Sequence, residues 1–257
     1  MCFHTRIIST AEEIESHYGV ARSAKEKKAG HEFIYHHANG YSHDSFWIIP
    51  QEKSDHMTPM MWGLLPHDKP GADYEKYYKK SIPWGAGLNA QAEKLFDFYL
   101  YRPSALTRRC IVPLNGFYEP HTCEKPKNFK VPYYFEQKDS AIIGLAGIYT
   151  ITPDKYVSFS ILTKEAPEGS KYATIHNKKN RDGEEHRQVI PLAREQVEAW
   201  LSDDLVEKDV YGIIDNDLPQ NRINTYSVSK DLFSRTVNSD RPDIVDHVTY
   251  PQVQIPF

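Results

Sequence analysis

The sequence predicts a single α+β domain, built on a curved, largely antiparallel and barrel-like β-sheet that helices flank. Its strand-like runs follow one another without a regular alternation with helices, which disfavours a parallel doubly wound sheet. The 257 residues are enough to bury one sizeable core. Neither an internal repeat nor a low-complexity linker divides them. We therefore expect one domain over residues 1–257.

The first half of the chain mixes helical and extended patterns. Residues 11–28 begin with acids and end with lysines, an order that the helix dipole favours. Aromatic, strand-like residues occupy 31–50, and a short apolar run follows at 60–65. Prolines and glycines indicate a loop over 67–88. We expect a helix over 90–109, interrupted or restarted at a proline.

The second half consists mainly of strand-like runs. These runs lie at 110–118, 133–136, 141–151, 157–163 and 224–228. Before the last of them, residues 176–188 are polar and charged and residues 189–192 are apolar. A helix is predicted over 194–201.

The composition is that of a globular protein, with 40% hydrophobic and 26% charged residues. No apolar run is long enough to span a bilayer, and the N-terminus lacks a secretory signal pattern. The three cysteines, Cys2, Cys110 and Cys123, lack the spacing of zinc ligands. We therefore expect a cytoplasmic monomer without a metal or a cofactor.

The net charge of −4 argues against a protein that coats nucleic acid non-specifically. It still permits a local basic groove, because the electrostatic field depends on the arrangement of charges. The alternative is that each basic cluster is part of the solvated surface and binds no nucleic acid. The clusters are Lys27-Lys28, Lys79-Lys80, Arg108-Arg109, residues 125–130 and residues 178–187.

Cys2 acquires unusual chemistry when Met1 is removed, as methionine aminopeptidases do before a small second residue. The new α-amine has an ordinary pKa of about 7.7–8.0, so part of it is neutral at cellular pH. A neutral amine condenses with an aldehyde to an imine, and the neighbouring thiol then closes a five-membered thiazolidine. The alternative is a small buried hydrophobic residue at the start of a strand.

Five ordered motifs make the chain resemble the SOS response-associated peptidase family, the abasic-site processing proteins. The resemblance covers most of the chain. The motifs are Met1-Cys2; Met61-Trp62-Gly63-Leu64-Leu65-Pro66; Leu88-Asn89-Ala90-Gln91-Ala92-Glu93; Arg109-Cys110-Ile111-Val112-Pro113 with Gly116-Phe117-Tyr118-Glu119; and Ile175-His176-Asn177 with Arg187-Gln188-Val189-Ile190. The resemblance implies a compact α+β domain with a curved antiparallel sheet. It also implies a role in the DNA damage (SOS) response, through the ring-opened abasic sugar in single-stranded DNA.

The resemblance implies four catalytic residues. Cys2 supplies the amine and the thiol, and Asn89 fixes the reacting geometry by hydrogen bonds. Glu119, with a pKa raised by burial, moves protons during imine formation. His176 deprotonates the thiol or protonates the sugar oxygen, with His186 as its competitor in the same charged segment. Each residue also has a non-catalytic alternative. Asn89 could be a turn residue, Glu119 an exposed carboxylate at a strand end, and each histidine a surface residue that stabilises a loop.

DNA binding is expected to combine aromatic stacking on bases with basic groups on phosphates. Trp62 could equally lie in the core. The candidates are Trp62, Trp84, Arg108, Arg109, Lys178, Lys179 and Arg187. The protein would then be nucleoid-associated when it is bound to DNA.

Four departures from the family pattern are present. Gln91 replaces an arginine, which removes a phosphate-binding charge, and Pro120 replaces a tryptophan. Residues 37–43 replace an Asn-x-Ala-Pro element, and residues 180–185 form an expanded segment. None of these changes removes a proposed catalytic residue, so they bear mainly on the DNA groove.

Two other functions stay open. The first is a thiol-dependent peptidase or autopeptidase, in which Cys2 performs acyl transfer with Glu119 and His176. The second is a catalytically silent module that binds DNA or protein, for which Gln91 is the best argument. The leading hypothesis is a covalent DNA–protein crosslink with lyase-like activity.

Overall fold

The computed structural model describes residues 2–124, 126, 129–178, 186–251 and 253. The strands in these parts of the chain are β1 His4–Ile7, β2 Tyr35–Asn39, β3 Ser45–Pro50, β4 Thr58–Trp62, β5 Asn89–Gln91, β6 Arg109–Leu114, β7 Gly116–Thr122, β8 Lys130–Gln137, β9 Ile143–Ile151, β10 Val157–Glu165, β11 Arg187–Val189, β12 Pro191–Leu192 and β13 Ile223–Ser227. The helices are α1 Ala11–Tyr18, α2 Ala24–Ala29, α3 Tyr74–Ser81, α4 Lys171–Ile175, α5 Val197–Leu201 and α6 Glu207–Asp215.

Five strands close into a barrel. Their order is β10-β4-β3-β6-β9, and β9 pairs again with β10. The strands β4 and β5 both run parallel to β10, whereas the other pairs within the ring are antiparallel. A barrel has no exposed edges, which removes the usual risk of edge pairing. The expected curved, largely antiparallel sheet is confirmed.

A second sheet of five strands, which we call the outer sheet, has the order β13-β8-β7-β1-β2. All of its pairs are antiparallel. Asn115 joins it to the barrel at the junction between β6 and β7. Its Oδ1 accepts hydrogen bonds from the backbone N–H groups of Ile8 (2.6 Å) and Ser9 (3.0 Å), which fixes the end of β1.

Glycine is required where β7 begins, because its neighbours leave no room for a side chain. A Cβ on Gly116 would lie 2.4 Å from the carbonyl oxygen of Phe135 and 2.4 Å from the hydroxyl of Tyr134. Strands β7 and β8 therefore approach closely, and Phe117 stacks on Phe135 with ring centroids 4.9 Å apart. This packing holds the strand that carries Glu119.

Several sequence predictions need correction in the first half of the chain. The helix predicted over 11–28 is two helices, because Gly19 adopts φ 71° and ends α1. The loop predicted over 67–88 contains α3, whose Tyr78 is buried. The helix predicted over 90–109 is wrong: the stretch holds β5 and short 3₁₀ turns. Local composition favoured helix, but pairing of β5 with β10 prevailed.

In the second half, the predicted strands are confirmed with different ends. The run 110–118 divides at Asn115 into β6 and β7. The helix predicted over 194–201 is a 3₁₀ turn followed by α5, and helices α4 and α6 were not predicted. Within the described part of the chain, no helix combines the length and the apolarity that crossing a membrane requires.

Candidate functional site

Cys2 lies two residues before the start of β1 and is fully buried. The side-chain amide of Asn89 donates a hydrogen bond of 2.8 Å to its carbonyl oxygen. The Cys2 thiol points back to its own strand, with Sγ 3.7 Å from the carbonyl oxygen of His4. Burial raises the pKa of the thiol, and the nearby charge of Glu119 raises it further. The thiol is therefore protonated at neutral pH, and a base has to accept its proton before it can react.

Asn89 reaches Cys2 because β5 is held on both sides. Asn89 pairs with Ile161 of β10. Before it, Gly87 adopts φ +71°, and a Cβ there would lie 2.6 Å from the carbonyl oxygen of Leu64. The backbone N–H of Leu64 donates to the carbonyl of Gly87 at 2.9 Å. These contacts join the second and third sequence motifs at one point beside the N-terminus.

Glu119 lies on β7, between β1 and β8, and is only 3% exposed. The register pairs it with Tyr133 and places the preceding Tyr118 opposite His4. Glu119 is close enough to Cys2 to raise the pKa of the thiol. The alternative that Glu119 is an exposed carboxylate at a strand end is therefore wrong.

His176 caps α4, and its backbone N–H donates to the carbonyl of Tyr172 at 2.8 Å. Its Nδ1 lies 3.4 Å from the carbonyl oxygen of Arg187, a weak contact that favours a proton on Nδ1 and leaves Nε2 basic. Burial lowers the pKa of His176, and the charge of Glu119 partly opposes this. The ring is therefore neutral at neutral pH and suited to accept a proton.

His186 has a supporting position. Its Nδ1 donates to the carbonyl oxygen of His176 at 3.0 Å. It thus holds the backbone of its competitor, whereas His176 interacts electrostatically with Glu119. The catalytic role of His176 stays a prediction.

Sequence reasoning missed a clamp that joins the strand of Glu119 to the turn of His176. His121 Nδ1 donates to the carbonyl oxygens of Thr174 (3.1 Å) and Ile175 (3.2 Å). The side chain of Asn177 accepts from the N–H of Thr122 at 2.9 Å and donates to its carbonyl at 2.8 Å. The available signals were period-two spacing after Glu119 and adjacency to His176.

Comparison with known proteins identifies the family. A profile of the SOS response associated peptidase (SRAP) family matches residues 1–235. The chain belongs to this family.

Several relatives carry the name abasic site processing protein. Saccharomyces cerevisiae YMR114C is 23% identical over 71% of this chain and 45% of its own length. Bacillus subtilis YoaM is 29% identical over 60% of each chain, and YoqW is 28% identical over 77% of this chain and 80% of its own. This SRAP chain thus covers less than two thirds of the first two relatives.

Solved structures show the same SRAP architecture. A protein from Bacteroides thetaiotaomicron superposes with a TM-score of 0.79 at 25% identity, covering 96% of this chain and 100% of the other. A protein from Bordetella bronchiseptica has a TM-score of 0.66 at 18% identity, over 89% of this chain and all of the other. The second likeness concerns the fold alone.

Three residues predicted to contact DNA are buried in this SRAP fold, and those predictions are wrong. Trp62 is fully buried, and its Nε1 donates to the carbonyl of Leu88 at 2.9 Å. Arg109 donates to backbone carbonyls, including those of Trp200 (2.9 Å) and Ala105 (3.0 Å). Arg187 is 2% exposed and forms a two-pronged pair with Glu93, both bonds 2.9 Å. Groups committed to such contacts cannot also bind phosphate.

The other DNA-binding candidates have different surroundings. Trp84 is 77% exposed, and Lys178 is exposed two residues after His176. Arg108 lies beside Glu52, with Nε 3.8 Å from Oε1. Lys179 lies outside the described residues. Among the described residues, no group of three or more metal-ligating side chains is arranged to hold an ion.

Proposed function

We propose that this SRAP protein, once Met1 is removed, captures the ring-opened abasic site in single-stranded DNA as a thiazolidine at Cys2. The observation that carries the proposal is the convergence of Asn89 and Glu119 on Cys2, with His176 interacting with the same carboxyl group. The names of the relatives, which are abasic site processing proteins, support the substrate class.

The reaction needs only the sugar aldehyde and groups of this chain. The α-amine of Cys2 adds to the sugar aldehyde, and loss of one water gives the imine. Glu119 accepts and returns the protons of this step. The thiol then adds across the C=N bond: sulfur bonds to carbon, its proton passes to neutral His176 or to Glu119, and the nitrogen takes up a proton. Asn89 holds the carbonyl of Cys2 while the ring closes.

The test uses the mature protein and two single-stranded oligonucleotides that differ only in one abasic site. We expect a heat-stable protein–DNA band with the abasic strand alone, and a mass equal to protein plus DNA minus one water. C2A should abolish the band. C123A, which removes another buried thiol, should retain it.

Retention of Met1 provides an independent arm, because the nitrogen of Cys2 is then an amide and cannot form the imine. An N-terminal extension that blocks Met1 removal should prevent crosslinking. Crosslinking that survives both this block and C2A would disprove the proposal. Release of a peptide without any DNA adduct would favour the thiol peptidase, and DNA binding without either product would favour the silent binding module.

A further inference from the structure

Tyr172 is a buried tyrosine on α4, the helix that His176 caps. It is 2% exposed, and its hydroxyl makes no hydrogen bond to any residue that the structure describes. A phenylalanine would fill the same space without burying an unsatisfied polar group, which costs stability. Since buried hydroxyls in native proteins are normally paired, this one needs a functional explanation.

The ring of Tyr172 is fixed by stacking on the outer sheet. Its centroid lies 5.4 Å from that of Phe135 and 6.4 Å from that of Phe117, with interplanar angles of 6° and 11°. Phe117 precedes Glu119 by two positions on β7, so their side chains lie on the same face of the strand. Tyr172 therefore packs on the face of the outer sheet that carries Glu119.

Tyr172 also shares one side of α4 with His176. The backbone N–H of His176 donates to the carbonyl of Tyr172 at 2.8 Å, so the two residues are one helical turn apart. Side chains at this spacing are neighbours on a helix surface. The start of the helix is capped, because the hydroxyl of Ser170 accepts from the backbone N–H of Ala173 at 3.0 Å. The geometry of α4 thus brings Tyr172 and His176 to the outer sheet together.

Two carboxyl groups face the hydroxyl of Tyr172. Burial raises the pKa of the phenol, and the nearby charges of Asp217 and Glu119 raise it further. The phenol therefore stays protonated at neutral pH, and it can donate a hydrogen bond but cannot serve as a base. Glu119 in turn also faces Cys2 and His176.

The two carboxyl groups differ in the donors that they already have. Oδ1 of Asp217 lies 3.0 Å from the ammonium nitrogen of Lys164 on β10, and Oδ2 accepts a bond of 2.9 Å from the side-chain amide of Gln188 on β11. These donors compensate the charge of Asp217. Glu119, by contrast, gains and loses a proton during the proposed reaction, so its need for a donor changes from step to step. It is therefore the carboxyl group that the hydroxyl of Tyr172 can serve.

We propose that Tyr172 is a positioning residue for capture, and that its hydroxyl donates a hydrogen bond to the carboxylate of Glu119 whenever that group has lost its proton. This rests on the proposed function. In the dehydration step, Glu119 gives a proton to the departing hydroxyl, which leaves as water, and its carboxylate then takes the N–H proton of the iminium ion. Tyr172 keeps its own proton throughout. It stabilises the carboxylate between these two transfers and holds it towards Cys2.

The test is Y172F, which keeps the stacked ring and removes only the hydroxyl. In single-turnover crosslinking to the abasic oligonucleotide, we expect the rate at saturating DNA to fall by about tenfold, the effect of one lost hydrogen bond to a charged group. The half-saturating DNA concentration should stay the same, because Tyr172 is buried and does not reach DNA. The matched control is Y149F, which removes a buried hydroxyl on β9 whose charged neighbour is Glu52. It should crosslink like the unmodified protein.

Two further measurements separate this role from a structural one. In an E119Q background the side chain at position 119 stays neutral, so adding Y172F should slow crosslinking no further. Urea unfolding of Y172F should show a stability equal to or higher than that of the unmodified protein, because the variant removes an unsatisfied buried hydroxyl and keeps the ring.

Three results would overturn the proposal. If Y172F crosslinks as fast as the unmodified protein, or slows the reaction by the same factor in the E119Q background, the hydroxyl does not act on Glu119, while the capture chemistry stands. If Y172F lowers stability and leaves the rate unchanged, the hydroxyl is structural. If the unmodified protein forms no crosslink, the proposed function fails, and the role of Tyr172 fails with it.

Discussion

The barrel and the outer sheet bury polar groups in opposite ways. In the barrel, Arg109 is a permanent cation whose nitrogens donate to backbone carbonyls, and its Cζ atom lies 5.7 Å from the centre of the Trp200 ring. Burial lowers its pKa only to about 10, so it remains charged at neutral pH. In the outer sheet, Glu119 and His37 are buried, and the ring of His37 lies 2.8 Å from that of His4. Burial lowers the pKa of His4 to about 3 and that of His37 to about 4, so both rings are neutral at neutral pH.

The difference separates scaffold from chemistry. Four of the five N–H donors of the Arg109 guanidinium are used by backbone carbonyls, and they stabilise one backbone arrangement at any ordinary pH. Because the side chain is fully buried, it cannot reach DNA. Buried carboxyl and imidazole groups make stability and reactivity depend on protonation. Four predictions test this separation.

The largest effect is expected for R109M. It removes the donors to the carbonyls of Ala105, Leu106, Trp200 and Ser202. We expect the free energy of unfolding to fall by about 3–5 kcal/mol, equally at pH 6 and pH 8. R108M changes the partly exposed neighbour and should cost less than about 1 kcal/mol. Urea unfolding measures both; a stable R109M with weakened DNA binding would reverse our assignment.

The second effect is acid destabilisation of the outer sheet. Burial lowers the pKa of His37 from 6.5 to about 4, and its Nδ1 lies 2.7 Å from the hydroxyl of Ser239. Because the folded state prefers the neutral ring, this stability is full above about pH 6.5 and is lost as pH falls towards 4. The difference between these two pKa values corresponds to about 3 kcal/mol of unfolding free energy. H37Q, which does not titrate, should flatten the pH dependence of unfolding; an unchanged curve would assign the loss elsewhere.

The third effect concerns the rate of capture. E119Q keeps the shape of the side chain but removes its proton-accepting capacity. We expect crosslinking to slow by about 5- to 150-fold, or about 1–3 kcal/mol of barrier. The matched control is E136Q on the neighbouring strand, whose carboxylate accepts from Asn224 at 2.9 Å. Single-turnover kinetics decide: equal rates for E119Q and the unmodified protein would remove Glu119 from the mechanism.

The smallest effect is expected at the clamp. N177A removes both side-chain bonds to Thr122, so the turn that carries His176 loosens. Greater hydration would bring the lowered pKa of His176 back towards 6.5, and the acid limb of the crosslinking rate should move to higher pH. The activation free energy of crosslinking should rise by about 1 kcal/mol. N216A, which removes a bond to Gly212 in α6, should leave the pH profile in place.

Much of the fold and of the candidate site could be predicted from the sequence. The barrel strands β9 and β10 follow from their apolar runs. Cys2, Asn89, Glu119 and His176 were found through motifs, and they lie together although long stretches of chain separate them. The basic and aromatic residues were harder, because the same types serve as core and as DNA contact. Trp84 is exposed and Trp62 is not, and composition cannot distinguish them.

The sequence by itself determined the strand-rich fold class and the candidate residues for nucleophilic attack and proton transfer, because these depend on local pattern and residue chemistry. Only the tertiary structure decided which charges are buried. Arg187 meets Glu93 and Arg109 meets Trp200 across 94 and 91 positions of the chain. Such contacts form when β11, the turn after β5 and α5 pack on the barrel, an arrangement that no local window of sequence contains. They set whether a cation binds the protein's own groups or a ligand.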